Sequence, residues 1–176
     1  MAPRSHARLG YPLVSRVVLP EHRGETRHGS RTRLPAEVRV RESGDPSSGL
    51  TTFWLGGSLR ISPDEQLLFL SKLYQDTLPV STRAKEIVRT ILVQPAGKIV
   101  NASGEHDFGA PWPAGTAVSA KTGSESDGDR STRWIVGHVR RGTRSWLFVS
   151  SLTGKDLPLL AAVDLAAKGL KREGVI

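Results

Sequence analysis

The sequence predicts an α+β domain in which an antiparallel sheet is packed by helices, and three observations carry that reading. Two capped helical patterns follow one another between Ser62 and Leu92, three alternating segments lie between Thr116 and Ser151, and a last helical pattern closes the chain. Ser62-Pro63-Asp64-Glu65 supplies a capping serine, proline at the first helical position and acids beside the positive end of the helix dipole. A helix is expected from there to about Gln75, with Leu67, Leu70, Leu73 and Tyr74 as its buried stripe. Ser81 caps a second helix whose inner face is expected to hold Ala84, Ile87, Val88, Ile91 and Leu92.

Residues 97–102 read as a short strand and 104–115 as a Gly- and Pro-rich loop containing Trp112. Residues 116–121, 133–140 and 145–151 read as successive strands, the last two joined by a tight turn at Arg141-Gly142-Thr143. Trp134, Trp146 and Phe148 alternate with polar residues and are expected to pack in the core or across strands. The closing helix is expected from Pro158, as its first helical residue, to Arg172, with Gly174 as its stop.

At 176 residues, 38% of them hydrophobic and 24% charged, the chain is long enough to bury a core. The absence of cysteine excludes disulfides, thiolate metal sites and a cysteine nucleophile. No apolar run has membrane length, and Met1 is not followed by the basic and apolar stretches of a signal peptide, so none is expected here. The net charge of +8 raises the question of nucleic acid, but residues 1–42 alone hold nine Arg and no Lys against four Glu. Most of the positive charge therefore belongs to the amino-terminal quarter. Residues 1–42 lack Lys, Asn, Gln, Asp, Ile, Phe and Trp and show no sustained periodicity, so they form one unit, disordered or out of frame, and residues 43–176 the folded one.

Lys121-Thr122-Gly123 stands at the end of the first predicted long strand. In penicillin-recognising serine enzymes such a strand lines one wall of the active site, while a Ser-x-x-Lys helix start supplies the nucleophile. No serine in these 176 residues is followed three positions later by lysine.

Together with Gly49-Leu50-Thr51-Thr52-Phe53-Trp54-Leu55 and Gly57 to Gln66, this strand makes residues 43–176 resemble the carboxy-terminal part of class D (oxacillinase-type) serine β-lactamases. The resemblance continues through Phe69-Leu70, Leu73-Tyr74, Leu78-Pro79, Ile87-Val88, Trp134 to Val139, and Leu157 to Ile176. It implies a partial β-lactamase/transpeptidase-like fold, a periplasmic or extracellular family, β-lactam antibiotics as ligands and no cofactor. It also implies roles. Lys121 matches the lysine that lies near the nucleophile and brings positive charge to the substrate, and Thr122 and Gly123 match the strand beside which the β-lactam lies. Trp54 matches the tryptophan that packs on a carbamylated active-site lysine.

Opening a β-lactam amide requires an acylating hydroxyl and a deprotonated base in hydrogen-bond reach, first to form the ester and then to hydrolyse it. The family's serine and modified lysine have no counterpart in this chain. Thr82-Arg83-Ala84-Lys85 has similar spacing but falls inside the second predicted helix. The family's Ser-x-Val and Tyr-Gly-Asn loops are also absent, and its carboxylate-clamping arginine aligns with Leu160, so either that alignment is offset or substrate affinity is reduced.

Codons read one base out of phase over residues 1–42 give a possible origin for that segment. Met1-Ala2 must then give Trp, Val14 to Arg23 permit Ser-Val-Val-Trp-x-Tyr-Gln-x-Ile-Ala, and Val38 to Ser43 permit Phe-Gly-Tyr-Gly-Asn. Both missing loops thus occur in one phase and in family order.

The other polar candidates have ordinary readings. His106 and His138 are expected to be hydrogen-bonded or exposed, and Glu105, Asp107, Asp127 and Asp129 to be solvated loop acids without metal-ligand spacing. Three functions follow from the residues: a truncated, non-hydrolysing β-lactamase-like protein, a β-lactam sensor domain, and a basic nucleic-acid-binding protein favoured by charge alone. The first is adopted, with no nucleic-acid partner expected.

Overall fold

A computed structural model describes residues 61–176, and nearer the amino terminus the backbone of three short strands, β1 (Val14–Val18), β2 (Arg41–Glu42) and β3 (Leu59–Arg60). Helix α1 (Pro63–Tyr74) starts on a complete capping box: the Glu65 N–H donates to Ser62 Oγ at 3.2 Å and the Ser62 N–H donates to Glu65 Oε2 at 2.7 Å. Its stripe Leu67, Leu70 and Leu73 is fully buried, worth about 1.5–3 kcal/mol per side chain in apolar transfer.

Helix α2 (Thr82–Ile91) is capped as expected, the Ala84 N–H donating to Ser81 Oγ, but its orientation corrects the predicted face. Lys85, Val88 and Leu92 point inward while Ile87 and Ile91 are 51% and 72% exposed. The cause is polar. Lys85 Nζ donates to the Asp76 carbonyl at 3.0 Å and lies 3.6 Å from its carboxylate, so the row that docks on the end of α1 is the one carrying that amine.

After β4 (Val93–Gln94) the chain forms β5 (Lys98–Asn101), the short strand expected there, which pairs as a hairpin with β6 (Gly104–Asp107), where the sequence predicted a loop. Three twelve-residue strands follow, β7 (Thr116–Asp127), β8 (Arg130–Arg141) and β9 (Arg144–Lys155), each longer than its apolar alternation indicated. Lys121 is therefore inside β7 and not at its end. Helix α3 (Ala161–Arg172) begins three residues later than predicted, because Pro158 sits in the preceding turn and accepts the Ala161 N–H. It stops at Gly174 (φ +66°), with Val175 N–H bonded to Leu170 O and Gly174 N–H to Lys171 O, the left-handed closure expected for glycine there.

The main sheet has the order β1-β9-β8-β7-β4, with β2-β3 and β5-β6 as separate pairs. One face carries Val118, Ala120, Ile135, Val139, Trp146 and Phe148 against α3. The other carries Trp134, Val136, Leu147 and Val149 against α1 and α2. Gly137 lies on the α3 face with Ile135 and Val139: a Cβ there would come within 2.5 Å of Ser119 O and 2.6 Å of Phe148 Cζ, so the Phe148 ring occupies the space a side chain would need. Among the described residues, no helix is long and apolar enough to cross a membrane.

Candidate functional site

Register fixes what surrounds Lys121. Along β7 and β8, Ser119 faces His138, Lys121 faces Val136, Thr122 faces Ile135 and Gly123 faces Trp134. Residues of one parity share a face, so Lys121, Ser119, Gly123 and His138 lie on the side of the sheet that α1 covers. Lys121 itself is exposed, and its Nζ donates to the Thr122 carbonyl at 2.5 Å. Thr122 is half-buried and Gly123 exposed. Trp54 lies outside the described residues.

Further along this face are groups that sequence reasoning did not bring together. The Tyr74 ring stacks on His138 with centroids 3.9 Å apart, and the Arg89 guanidinium stands 5.6 Å from the Tyr74 centroid. Arg89 donates to the Leu73 carbonyl and to Asp76 Oδ1, the latter at 2.8 Å. Burial, then the Arg140 and Arg89 charges, push His138 down from 6.5 to about 4, so it is uncharged at neutral pH. Burial also raises the Tyr74 phenol, whose Oη has no hydrogen bond in the structure; Ser119 is near it without hydrogen-bond geometry. On the sheet face that carries the exposed Lys121, the described residues thus include two stacked neutral rings, Tyr74 and His138.

Thr82 to Lys85 does not form a nucleophile pair. Thr82 is exposed at the start of α2, while Lys85 is buried against Asp76. Leu160 precedes α3 and packs on the core, an apolar role. Arg133 is the arginine that reaches this region. It is buried on β8, and its guanidinium donates to Glu125 O at 2.6 Å, Thr132 O and Leu157 O at 3.1 Å, and the Ser126 and Ser131 hydroxyls. Those bonds tie the end of the β7-β8 pair to the segment before α3. The alternation of β8 puts that arginine on the same face as Ile135 and Val139, and its hydrogen bonds allow the charge to be buried there.

The remaining polar residues have local partners. His106 Nε2 lies 2.8 Å from Ser103 Oγ across the β5-β6 turn. Asp107 and Glu105, on strand β6 and not in a loop, pair with Lys98 at 2.8 and 3.7 Å, and Asp129 pairs with Lys155 at 3.2 Å. Among the described residues, no group of three or more acids and histidines is placed to hold a metal.

No protein-family model matches the chain. It is 31% identical over 135 residues to the β-lactamase OXA-48 of Klebsiella pneumoniae, covering 75% of this chain and 44% of that protein. Further class D relatives align over comparable stretches. The chain is homologous to part of the class D β-lactamases. Two solved structures share its fold: BPu1 β-lactamase, at TM-score 0.55 and 27% identity over 77% of this chain and 48% of that one, and the carboxy-terminal domain of the Bacillus licheniformis BlaR penicillin-receptor, at TM-score 0.57 and 24% identity over 70% and 45%. The α+β, partial β-lactamase/transpeptidase-like arrangement is as predicted. The chain spans about half the length of the relatives it matches.

Proposed function

We propose that this chain is a class D β-lactamase-like domain that recognises the β-lactam shape without opening the ring. Lys121 brings positive charge to the substrate site and Thr122 and Gly123 form the strand wall beside the β-lactam, while Trp54 matches the family tryptophan whose partner, the carbamylated lysine, has no counterpart here. The observation that carries this reading is the surroundings of Lys121 Nζ: its hydrogen bond goes to the carbonyl of the next residue, and no described hydroxyl lies in hydrogen-bond reach of it. Without Ser-x-x-Lys in the sequence, neither acylation nor deacylation has its group. Nitrocefin turnover by the purified chain tests it. The expected rate is the uncatalysed one, and saturable turnover abolished by Lys121→Ala would overturn the reading. The fold shared with the BlaR domain favours a second reading, a binding or sensor domain, which requires covalent capture of a fluorescent penicillin without turnover.

We also propose that residues 1–42 are an out-of-frame reading joined to the family frame near Ser43. The compositional break between residues 1–42 and the rest of the chain supports it. The coding nucleotides decide it: Tyr-Gly-Asn is expected in the alternative phase over Val40 to Ser43.

A further inference from the structure

The long strands leave the domain with unlike ends. β7, β8 and β9 have twelve residues each, so the β7–β8 turn and the β8–β9 turn lie roughly 40 Å apart. At the β8–β9 turn Arg141 stands directly across from Arg144, on the sheet face that α3 covers. Arg141 leans toward the end of that helix: its Nη2 donates to the Gly174 carbonyl at 3.3 Å, and its guanidinium stands 5.7 Å from the Trp146 ring centroid. The last turn of α3 brings Lys171 and Arg172 to the same end, and Arg140 adds a cation on the opposite face of the sheet. Arg140, Arg144, Lys171 and Arg172 are exposed. Like charges directly across a strand pair oppose each other. The far end of β8 and β9 holds a similar pair, Arg130 against Lys155, but there Asp129 lies 3.2 Å from Lys155 and Asp156 follows in the chain. At the β8–β9 end Glu173 is bonded to Arg172 at 3.2 Å, and among the described residues neither Arg141 nor Arg144 meets a carboxylate.

We propose that this basic end docks on the surface of an anionic phospholipid bilayer, with the strands directed away from the membrane. Its cations sit on both faces of the sheet and on the helix end, so they form a blunt end that meets a plane of phosphates. A nucleic-acid backbone calls instead for a groove or a stripe along one face. The charge is also polarised along the strands, since Glu125, Asp129 and Asp156 gather at the far end. Those acids stay several Debye lengths, each about 8 Å, from a surface that the basic end touches. The field of the bilayer therefore holds the domain upright. An arginine fork matches a phosphate in two hydrogen bonds, and each cation near such a surface raises partitioning about fivefold. Lys121, midway along β7, takes no part, so the docking stands apart from the proposed ligand role.

Cosedimentation of the full chain with vesicles tests the docking. Vesicles of phosphatidylcholine alone are expected to leave the chain in solution, and vesicles that also contain phosphatidylglycerol to bind it. That binding should be released near 1 M salt, where the Debye length is about 3 Å. R141E/R144E and R130E/K155E change the net charge equally, and each reverses one cross-strand pair, at opposite ends of β8 and β9. The first is expected to lower partitioning about tenfold or more and the second to change it by less than about twofold. R144E alone, which relieves the opposition to Arg141 and so keeps the fold, should lose about fivefold or more. The nine arginines of residues 1–42 remain in every variant. Equal effects of the two double variants would therefore place the binding elsewhere and overturn the proposal. So would binding that survives 1 M salt, absence of binding to the phosphatidylglycerol vesicles, or capture of a fluorescent DNA duplex under conditions where those vesicles are not bound.

Discussion

The Tyr74 and His138 rings lie stacked 3.9 Å apart with their planes 19° from parallel, joining the end of α1 to the centre of β8. Arg89 closes the stack from α2 and Arg140 adds its charge from β8, so a proton on His138 meets two cations and a desolvated setting.

His138 therefore ties stability to pH. Its folded value near 4 lies below its ordinary 6.5, so between those limits the unfolded chain holds more protons. Stability is expected to be independent of this group above about 6.5, to fall as pH drops through the window, and to level off below 4. Urea midpoints measured across that range should decline, and His138→Gln should flatten the decline. A flat profile in the unmodified chain would contradict the stack's burial.

Asp76 acts at lower pH. Its hydrogen bond from Arg89, followed by the charges of Arg89 and Lys85, holds the carboxyl below its ordinary 3.8. That contribution is present above 3.8 and lost as pH falls through the lower folded value. Asp76→Asn keeps a residue tolerant of the φ of +63° found there while removing the charge. It should lower the melting temperature at neutral pH and weaken the acid-induced loss below pH 4, as scanning calorimetry would show.

Arg133 binds two strand ends and the approach to α3 through one guanidinium. Replacement by Met leaves the Glu125 and Leu157 carbonyls without that donor and should cost roughly 2–4 kcal/mol. Arg133→Lys should recover little, since an ammonium lacks the planar fork. Faster amide exchange over residues 156–160 in both variants would be the local signature.

Gly137→Ala tests the packing on the α3 face of the sheet. With Ser119 O at 2.5 Å and the Phe148 ring at 2.6 Å from the added carbon, the strand pair or the ring must move, at a cost of about 1–3 kcal/mol or more. Chemical denaturation reads the change. Phe148→Leu in the same chain should return part of it.

Much of the fold could be read from the residues because local chemistry and tertiary packing agree there. The Ser62 to Glu65 box set the start of α1, and Leu67, Leu70 and Leu73 were buried as their spacing demanded. The polar ends of β7 and the whole of β6, Gly104-Glu105-His106-Asp107, carry no apolar alternation, so backbone pairing alone makes them strands. The inner face of α2 was misassigned because Lys85 is internal through Asp76, a partner nine residues away. At the site, Lys121-Thr122-Gly123 was visible as a motif, whereas the Tyr74, His138 and Arg89 grouping joins three elements and has no signature in any one of them.

Intact-mass spectrometry of the full chain after prolonged incubation with benzylpenicillin tests the central claim most directly. The chain that keeps the Lys121 strand without an attacking hydroxyl should be recovered at its unmodified mass. A stoichiometric increase equal to one penicilloyl group, mapped to any serine or threonine, would contradict it.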